Sequence, residues 1–433
     1  MNRLHGAIRS YDWGSHTVLA EFTGRPSPSD RPEAELWLGA HPADPARVDV
    51  AGSGTSLLDV ISADPHGQLG AANAERFRGR LPFLLKVLAA EEPLSLQAHP
   101  NSVQAREGFE RENLGGVPLD SPARSYKDDN HKPELVVALT RFEALAGFRD
   151  VRRTVGLLRA LGVAELDRCA ELLAAQANPS GVRVLFTQWI TGDEHSETLV
   201  GDVVEACRRY LSTVLDGVVR EFAAEAQTVL ELGNRYPSDP GVLISLLLNR
   251  ITLEPGEGLF LAAGNLHAYL RGSAVEIMAS SDNVLRGGLT PKHVDVPELL
   301  KVLAFRPGSM PVVRADGDGR DNRRLYRTPE SEFELTRLHL DASRNCASAA
   351  TLGAGDPRIV LCTAGSTVLS SPGASLELSA GQSAWLPASN PAVTLAPAQQ
   401  HAQVFVATIG SYDADSAHRQ GICAHVYSVD LDD

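Results

Sequence analysis

Gln97 and His99 stand two residues apart in the apolar run Leu94-Ser-Leu-Gln-Ala-His-Pro100, and Glu134 closes the nearby segment Asn130-His-Lys-Pro-Glu134. Imidazole and carboxylate are ordinary zinc donors; an amide oxygen is a rarer one. Along an extended strand the side chains alternate between faces, so Gln97 and His99 point the same way and make one chelating face. Glu134 opens the β-rich run Leu135-Val-Val-Ala-Leu139, which predicts a carboxylate at the mouth of another strand, within reach of an interior ion. Zinc prefers four ligands, and a catalytic site keeps room for water or substrate. The best candidate for the fourth is His267 in Gly264-Asn-Leu-His-Ala-Tyr269. Taken singly each residue has a plainer use: a structural hydrogen bond for Gln97, satisfied core imidazoles for His99 and His267, a solvated strand end for Glu134.

Such a site needs a β scaffold that gathers distant segments. Up to about residue 145, short apolar runs broken by Gly, Pro and Asp predict a β-sandwich or barrel. Between about 150 and 235 the apolar positions fall at helical spacing, as at Val151, Val155 and Leu158 and later Phe222, Val229 and Leu230, with Gly233 as a C-terminal stop. Thr252-Leu-Glu-Pro-Gly-Glu-Gly-Leu-Phe-Leu261 then reads as strand, Pro-Gly turn and strand, returning His267 to the sheet of Gln97 and His99. The expected organisation is a discontinuous catalytic domain over 1–148 and 236–312, a helical insertion over 149–235, a second barrel over 325–411 and a tail, 412–433, without an assigned role. A short repeat supports the second barrel. Gly256-Glu-Gly-Leu-Phe-Leu-Ala-Ala-Gly-Asn-Leu-His267 aligns with Gly381-Gln-Ser-Ala-Trp-Leu-Pro-Ala-Ser-Asn-Pro-Ala392, so Ala392 stands opposite the candidate ligand His267 and this barrel is expected to lack a metal. The polar, Gly-rich stretch Arg314–Arg324 suits a linker.

A formal net charge of −14 argues against nucleic acid as a partner. No apolar run has the length of a membrane span, and the first residues lack the apolar core of a signal peptide, which leads to the expectation of a cytoplasmic protein without a membrane partner. Five cysteines (Cys169, Cys207, Cys346, Cys362 and Cys423) without a Cys-x-x-Cys pair indicate neither a disulfide framework nor a thiolate zinc knuckle. No phosphate-binding Gly-x-x-x-x-Gly-Lys-Ser/Thr loop is present. His5, His16, His66, His401, His418 and His425 belong to no constellation, while His41 and His131 sit close to the segments above.

Gln97-Ala-His-Pro100, Asp129-Asn-His-Lys-Pro-Glu134, Gly264-Asn-Leu-His-Ala-Tyr269 and Ser281-Asp-Asn-Val-Leu-Arg-Gly-Gly-Leu-Thr-Pro-Lys292, preceded by Asp12-Trp-Gly14 and Ala34-Glu-Leu-Trp-Leu-Gly-Ala-His41, together resemble type I mannose-6-phosphate isomerase across roughly residues 1 to 310. The resemblance implies a mainly β protein with a helical insertion: two cupin-like jelly-roll barrels plus an α-helical domain. It implies one zinc ion (Zn2+) per chain on Gln97, His99, Glu134 and His267, and an aldose–ketose interconversion of mannose 6-phosphate and fructose 6-phosphate through an enediolate, feeding mannose activation for glycoconjugate synthesis. Arg286 matches the arginine that the family assigns to catalysis. Lys132 and Glu276 are candidates for proton transfer; Lys86, Ser95 and Lys292 for phosphate or sugar binding; Tyr269, Trp13 and Asp282 for the pocket wall. An acidic protein must concentrate local positive charge to hold a sugar phosphate, and Lys86, Lys132, Arg286 and Lys292 supply it. A small-molecule sugar phosphate is the expected partner and a monomer the favoured state. Two other readings stay open at this level: a non-catalytic, metal-stabilised sugar-binding cupin, and an isomerase of another aldose phosphate.

Overall fold

The computed structural model describes residues 1–50, 52–192, 194–212, 220–316, 322–343 and 348–410. The tail 412–433, linker residues 317–321, Cys346, Cys423, His418 and His425 lie outside the described residues. Two antiparallel sheets dominate. The eleven-stranded sheet runs in the order Val312–Val313, Gly258–Leu261, Glu134–Ala138, His267–Ala279, Phe83–Ala90, Glu35–Leu38, Ala7–Arg9, joined by Gln97–Ala98, Phe142–Phe148, Leu248–Leu253 and Leu285–Arg286. The ten-stranded sheet contains Glu334–Asp341, Val393–Thr408, Arg358–Ser371 and Ser383–Leu386, and it continues into Asn2–His5, Arg47–Val50 and Ser53–Ser56. Three strands near the start of the chain thus complete the sheet built mostly from its end.

Alternation along the strands decides what each face does. Lys86, Val136 and Glu276 are register partners that face one interior. Their neighbours Val87, Leu135, Val137, Val275 and Ile277 face the other way and pack with Leu335, Ile359, Leu361, Trp385 and Phe405 of the second sheet. The two barrels therefore share a core instead of hanging on a linker. Each such fully buried side chain contributes roughly 1.5–3 kcal/mol.

Strand His267–Ala279 needs a correction of parity to serve the site. His267 and Glu276 are nine residues apart, so strict alternation would send them to opposite faces. Against Phe142–Phe148 the pairing advances two residues, from Tyr269 to Arg271, while the partner advances one, from Ala144 to Glu143. This bulge flips the phase. The Tyr269 hydroxyl accordingly donates to Glu276 Oε1 at 2.8 Å. Beyond the bulge Gly272 has φ +118, and a Cβ there would stand 2.5 Å from the Arg141 carbonyl oxygen. Gly272→Ala is expected to destabilise the protein by about 1–3 kcal/mol or more, read as a lowered urea midpoint; an unchanged midpoint would show that the bulge tolerates a side chain.

Helices from Val151–Ala160 to Gly241–Ser245 form an all-α layer whose interior holds Leu158, Phe186, Trp189 and Leu232. Gly233 does not stop its helix. It lies inside Ala223–Arg235, where a Cβ would be 2.4 Å from Val204 of the facing helix, so it serves close helix packing. Helix Ser102–Leu114 interrupts the β-rich first segment, and its Asn101/Gln104 capping box is the signal that composition concealed. Among the described residues no helix is long and apolar enough to cross a membrane.

Candidate metal centre

The two-residue strand Gln97–Ala98 is wedged between two others: Gln97 is the register partner of His267 on one side and of Arg286 on the other. Glu134 starts its strand opposite Met278. Three segments far apart in sequence thus converge at one barrel mouth, with His99, Glu134 and His267 all buried.

Hydrogen bonding fixes which ring nitrogens face inward. His99 Nδ1 lies 2.8 Å from the Asn283 carbonyl oxygen and His267 Nδ1 lies 3.0 Å from that of Asn265. A carbonyl only accepts, so both Nδ1 atoms carry the proton and both Nε2 atoms present bare lone pairs. These face Glu134, with His99 Nε2 3.3 Å from Oε1 and His267 Nε2 3.4 Å from Oε2. His99 Nε2 is buried with no hydrogen-bond partner. Lone pairs turned on a carboxylate repel unless a cation sits among them. Ligands about 2.0–2.1 Å from a tetrahedral centre are about 3.3–3.4 Å apart, so the spacing suits zinc. Gln97 Nε2 donates to Ser95 Oγ at 3.2 Å, leaving its amide oxygen to serve as a fourth donor. Burial and then the Lys132 ammonium push the His99 imidazole down to about 4, which keeps it neutral at ordinary pH.

Around the donors the charges are arranged in pairs. Burial would raise the Glu134 carboxyl, but the Lys132 ammonium, with Nζ 3.0 Å from Oε1, works against it, and the carboxyl is held well below the carboxylate range. Deeper in the barrel, Lys86 Nζ lies 3.2 Å from Glu276 and 3.6 Å from Glu35, whose other oxygen accepts from Trp37 Nε1. Burial works against the Lys86 ammonium, yet Glu35 and Glu276 outweigh it and raise its pKa. Two carboxylates share that one ammonium, and burial raises Glu276 above its usual value. A lysine so balanced has little charge left for a phosphate and is better suited to sugar hydroxyls.

Arg286 presents the opposite situation. It is half-buried, and desolvation alone lowers its pKa. Lys292, exposed and with its pKa lowered by partial burial and by Arg286 and Lys127, belongs to the same cation group. Among the described residues no carboxylate is ion-paired with Arg286, Lys292 or Lys127. Asp282 lies 3.5 Å from His41 Nε2, and Trp13 stacks on Tyr11 at 5.7 Å, both away from the ligand triad's own contacts.

Asn283 was visible only as part of a motif. Fully buried, it receives the Lys127 N–H at 2.7 Å and donates to the Asp128 and Asn130 carbonyls at 2.8 Å, while its own carbonyl orients His99. Asn283→Ala is expected to weaken zinc binding about 10–100-fold. Competition against a calibrated chelator measures this, and wild-type affinity would show that the carbonyl facing His99 keeps its place without the Asn283 side chain.

Comparison with known proteins agrees with this arrangement. The family "Phosphomannose isomerase type I, catalytic domain" matches residues 1–151. Mannose-6-phosphate isomerase of Escherichia coli K12 is 38% identical over 409 residues, covering 91% of this chain and 97% of that one, and that of Salmonella typhimurium is 37% identical over 409 residues, covering 94% and 99%. A zinc-bound mannose 6-phosphate isomerase structure superposes with TM-score 0.83 at 34% identity, covering 95% of this chain and 99% of that one. The Salmonella typhimurium enzyme bound to its substrate and zinc gives the same TM-score and identity, with 95% and 100% coverage. With the family match, the near full-length similarity and the superposition in agreement, the chain belongs to the type I mannose-6-phosphate isomerase family.

Proposed function

We infer that this protein is a zinc-dependent isomerase that interconverts mannose 6-phosphate and fructose 6-phosphate. The observation that carries the reading is the pair of inward Nε2 lone pairs on Glu134, set strand-to-strand beside an arginine that has no carboxylate partner among the described residues. Moving a proton between C1 and C2 passes through an enediolate, whose negative oxygens the site must stabilise. Zinc, held by Gln97, His99, Glu134 and His267, supplies positive charge at those oxygens when bound.

The remaining work falls to side chains. Arg286, adjacent to Gln97, joins the metal centre to the outer cations Lys292 and Lys127, which suit the phosphate end of an extended substrate. Lys132 adjoins the ligand carboxylate and is the nearer of the two proton-transfer candidates to an oxygen at the metal centre. Glu276, on the far side of Lys86 and hydrogen-bonded by Tyr269, is the second. Ser95 orients Gln97; Trp13, stacked on Tyr11, and Asp282, beside His41, are the wall candidates in this reading.

A coupled assay reading fructose 6-phosphate formed from mannose 6-phosphate, run beside other aldose phosphates, tests the reading. Turnover of mannose 6-phosphate that a chelator abolishes is the expected result. Binding without turnover would favour a sugar-binding role, and faster turnover of another aldose phosphate would change the substrate. Monomeric state and cytoplasmic location are part of the same reading, checked by light scattering and cell fractionation.

A further inference from the structure

His131 sits between Asn130 and Lys132, and its ring contacts a segment of the second sheet's part of the chain. Its Nε2 lies 3.0 Å from Glu332 Oε1, on the residue two before strand Glu334–Asp341 of the second sheet. The carboxylate is itself fixed, because its other oxygen accepts from the Ser331 backbone N–H at 3.1 Å and hydroxyl at 3.3 Å. Next to it Phe333 is buried in the core shared by the two sheets, so Glu332 stands on a rigid base. Glu330 brings a second carboxylate to the same imidazole.

The segment held this way carries Lys132. Upstream, the Asn130 carbonyl accepts from Asn283 Nδ2 at 2.8 Å and Ser281 Oγ at 3.2 Å; downstream, the Pro133 carbonyl accepts from the Ala279 N–H at 3.1 Å. Between those pins the cross-barrel contact of His131 is the side-chain tether. An ammonium on a four-carbon stem goes where its backbone puts it, and a displacement of about 1 Å near reacting atoms can cost about a hundredfold.

We propose that Glu332 of the second barrel is a positioning residue for the isomerase, holding His131 and through it the Lys132 ammonium against Glu134. Burial alone would lower the His131 pKa, but the Glu332 carboxylate outweighs it, so the tether is charge-assisted. The second barrel then takes part in catalysis without touching substrate.

The inference rests on the isomerase reading, and its test separates the two. Zinc-loaded full-length Glu332→Ala is expected to lose about tenfold in kcat for mannose 6-phosphate, with KM within twofold of wild type and zinc content and thermal midpoint unchanged. Glu332→Gln, which keeps an acceptor oxygen, should recover most of the loss. In a His131→Ala background the Glu332→Ala change should cost less than a further twofold. Wild-type kcat in Glu332→Ala, a loss in proportion to zinc or folded protein, or the full tenfold loss in the His131→Ala background would each overturn the proposal. A fall from two metal ions per chain to one in Glu332→Ala would overturn it too, by making the cluster a ligand set. An inactive wild type would instead overturn the isomerase reading.

Discussion

His267→Ala is expected to give a folded protein that has lost its zinc and about three powers of ten or more in turnover, whereas His401→Ala, on an exposed residue of the second sheet, should match wild type. The size of the effect follows from the donor geometry. Removing one imidazole leaves His99 Nε2 and Glu134 to hold the cation with Gln97, fewer than the four ligands zinc prefers, and opens the cavity to water. No other side chain at the centre can replace a divalent charge next to the enediolate, since Lys132 already offsets Glu134 and Lys86 already offsets Glu35 and Glu276. Elemental analysis of washed protein should give one zinc per wild-type chain and none in the variant. Full turnover by a verified metal-free protein would sink the zinc reading, and loss of metal in His401→Ala would move the ligand set elsewhere.

Arg286→Ala should keep its zinc and lose about two to four powers of ten in kcat, the range for removing a positioned electrostatic or proton-transfer group. Arg286 has no ion-paired carboxylate among the described residues, so its charge is available to the substrate, and the strand register ties it to the candidate ligand Gln97. Arg286→Lys should restore little, because a compact ammonium does not reproduce the planar fork. If kcat stayed at the wild-type value while KM rose, the arginine would be a ground-state phosphate anchor.

Much of this site was legible because its logic is local. A spacing of two in an extended run predicted one face for Gln97 and His99, and the Pro-Gly turn before Gly258–Leu261 led the chain back toward His267, which lies with His99 and Glu134. The parity of Glu276 was not legible, since the bulge between Tyr269 and Arg271 is a property of pairing with Phe142–Phe148 and leaves only Gly272 as a local trace. Nor was Asn283, whose contribution to His99 is a backbone carbonyl that any residue type possesses. Gly233 was misread because a glycine that ends a helix and one that admits a neighbouring helix look alike in sequence; Val204, the side chain that distinguishes them, lies on another element. The partnership of Glu332 with His131 joins two barrels and has no sequence spacing to betray it.

The strand Asn2–His5, hydrogen-bonded between Arg47–Val50 and Ser383–Leu386, has a consequence for how the molecule is made. Asn2 leaves the ribosome on the order of 380 residues before its register partner Trp385. At about 5–20 residues per second that interval is roughly 20–80 seconds. The ligand-bearing sheet has its last strand, Val312–Val313, in hand before that partner appears, while one flank of Asn2–His5 remains an open edge, the kind of surface that recruits stray β-strands. Closing the pair also requires one of the longest loops the chain can form, a slow step in any fold governed by distant contacts. The neighbouring Arg47–Val50 and Ser53–Ser56 hairpin covers only the opposite flank of Asn2–His5, so the edge that awaits Ser383–Leu386 is where a wrong strand would pair first.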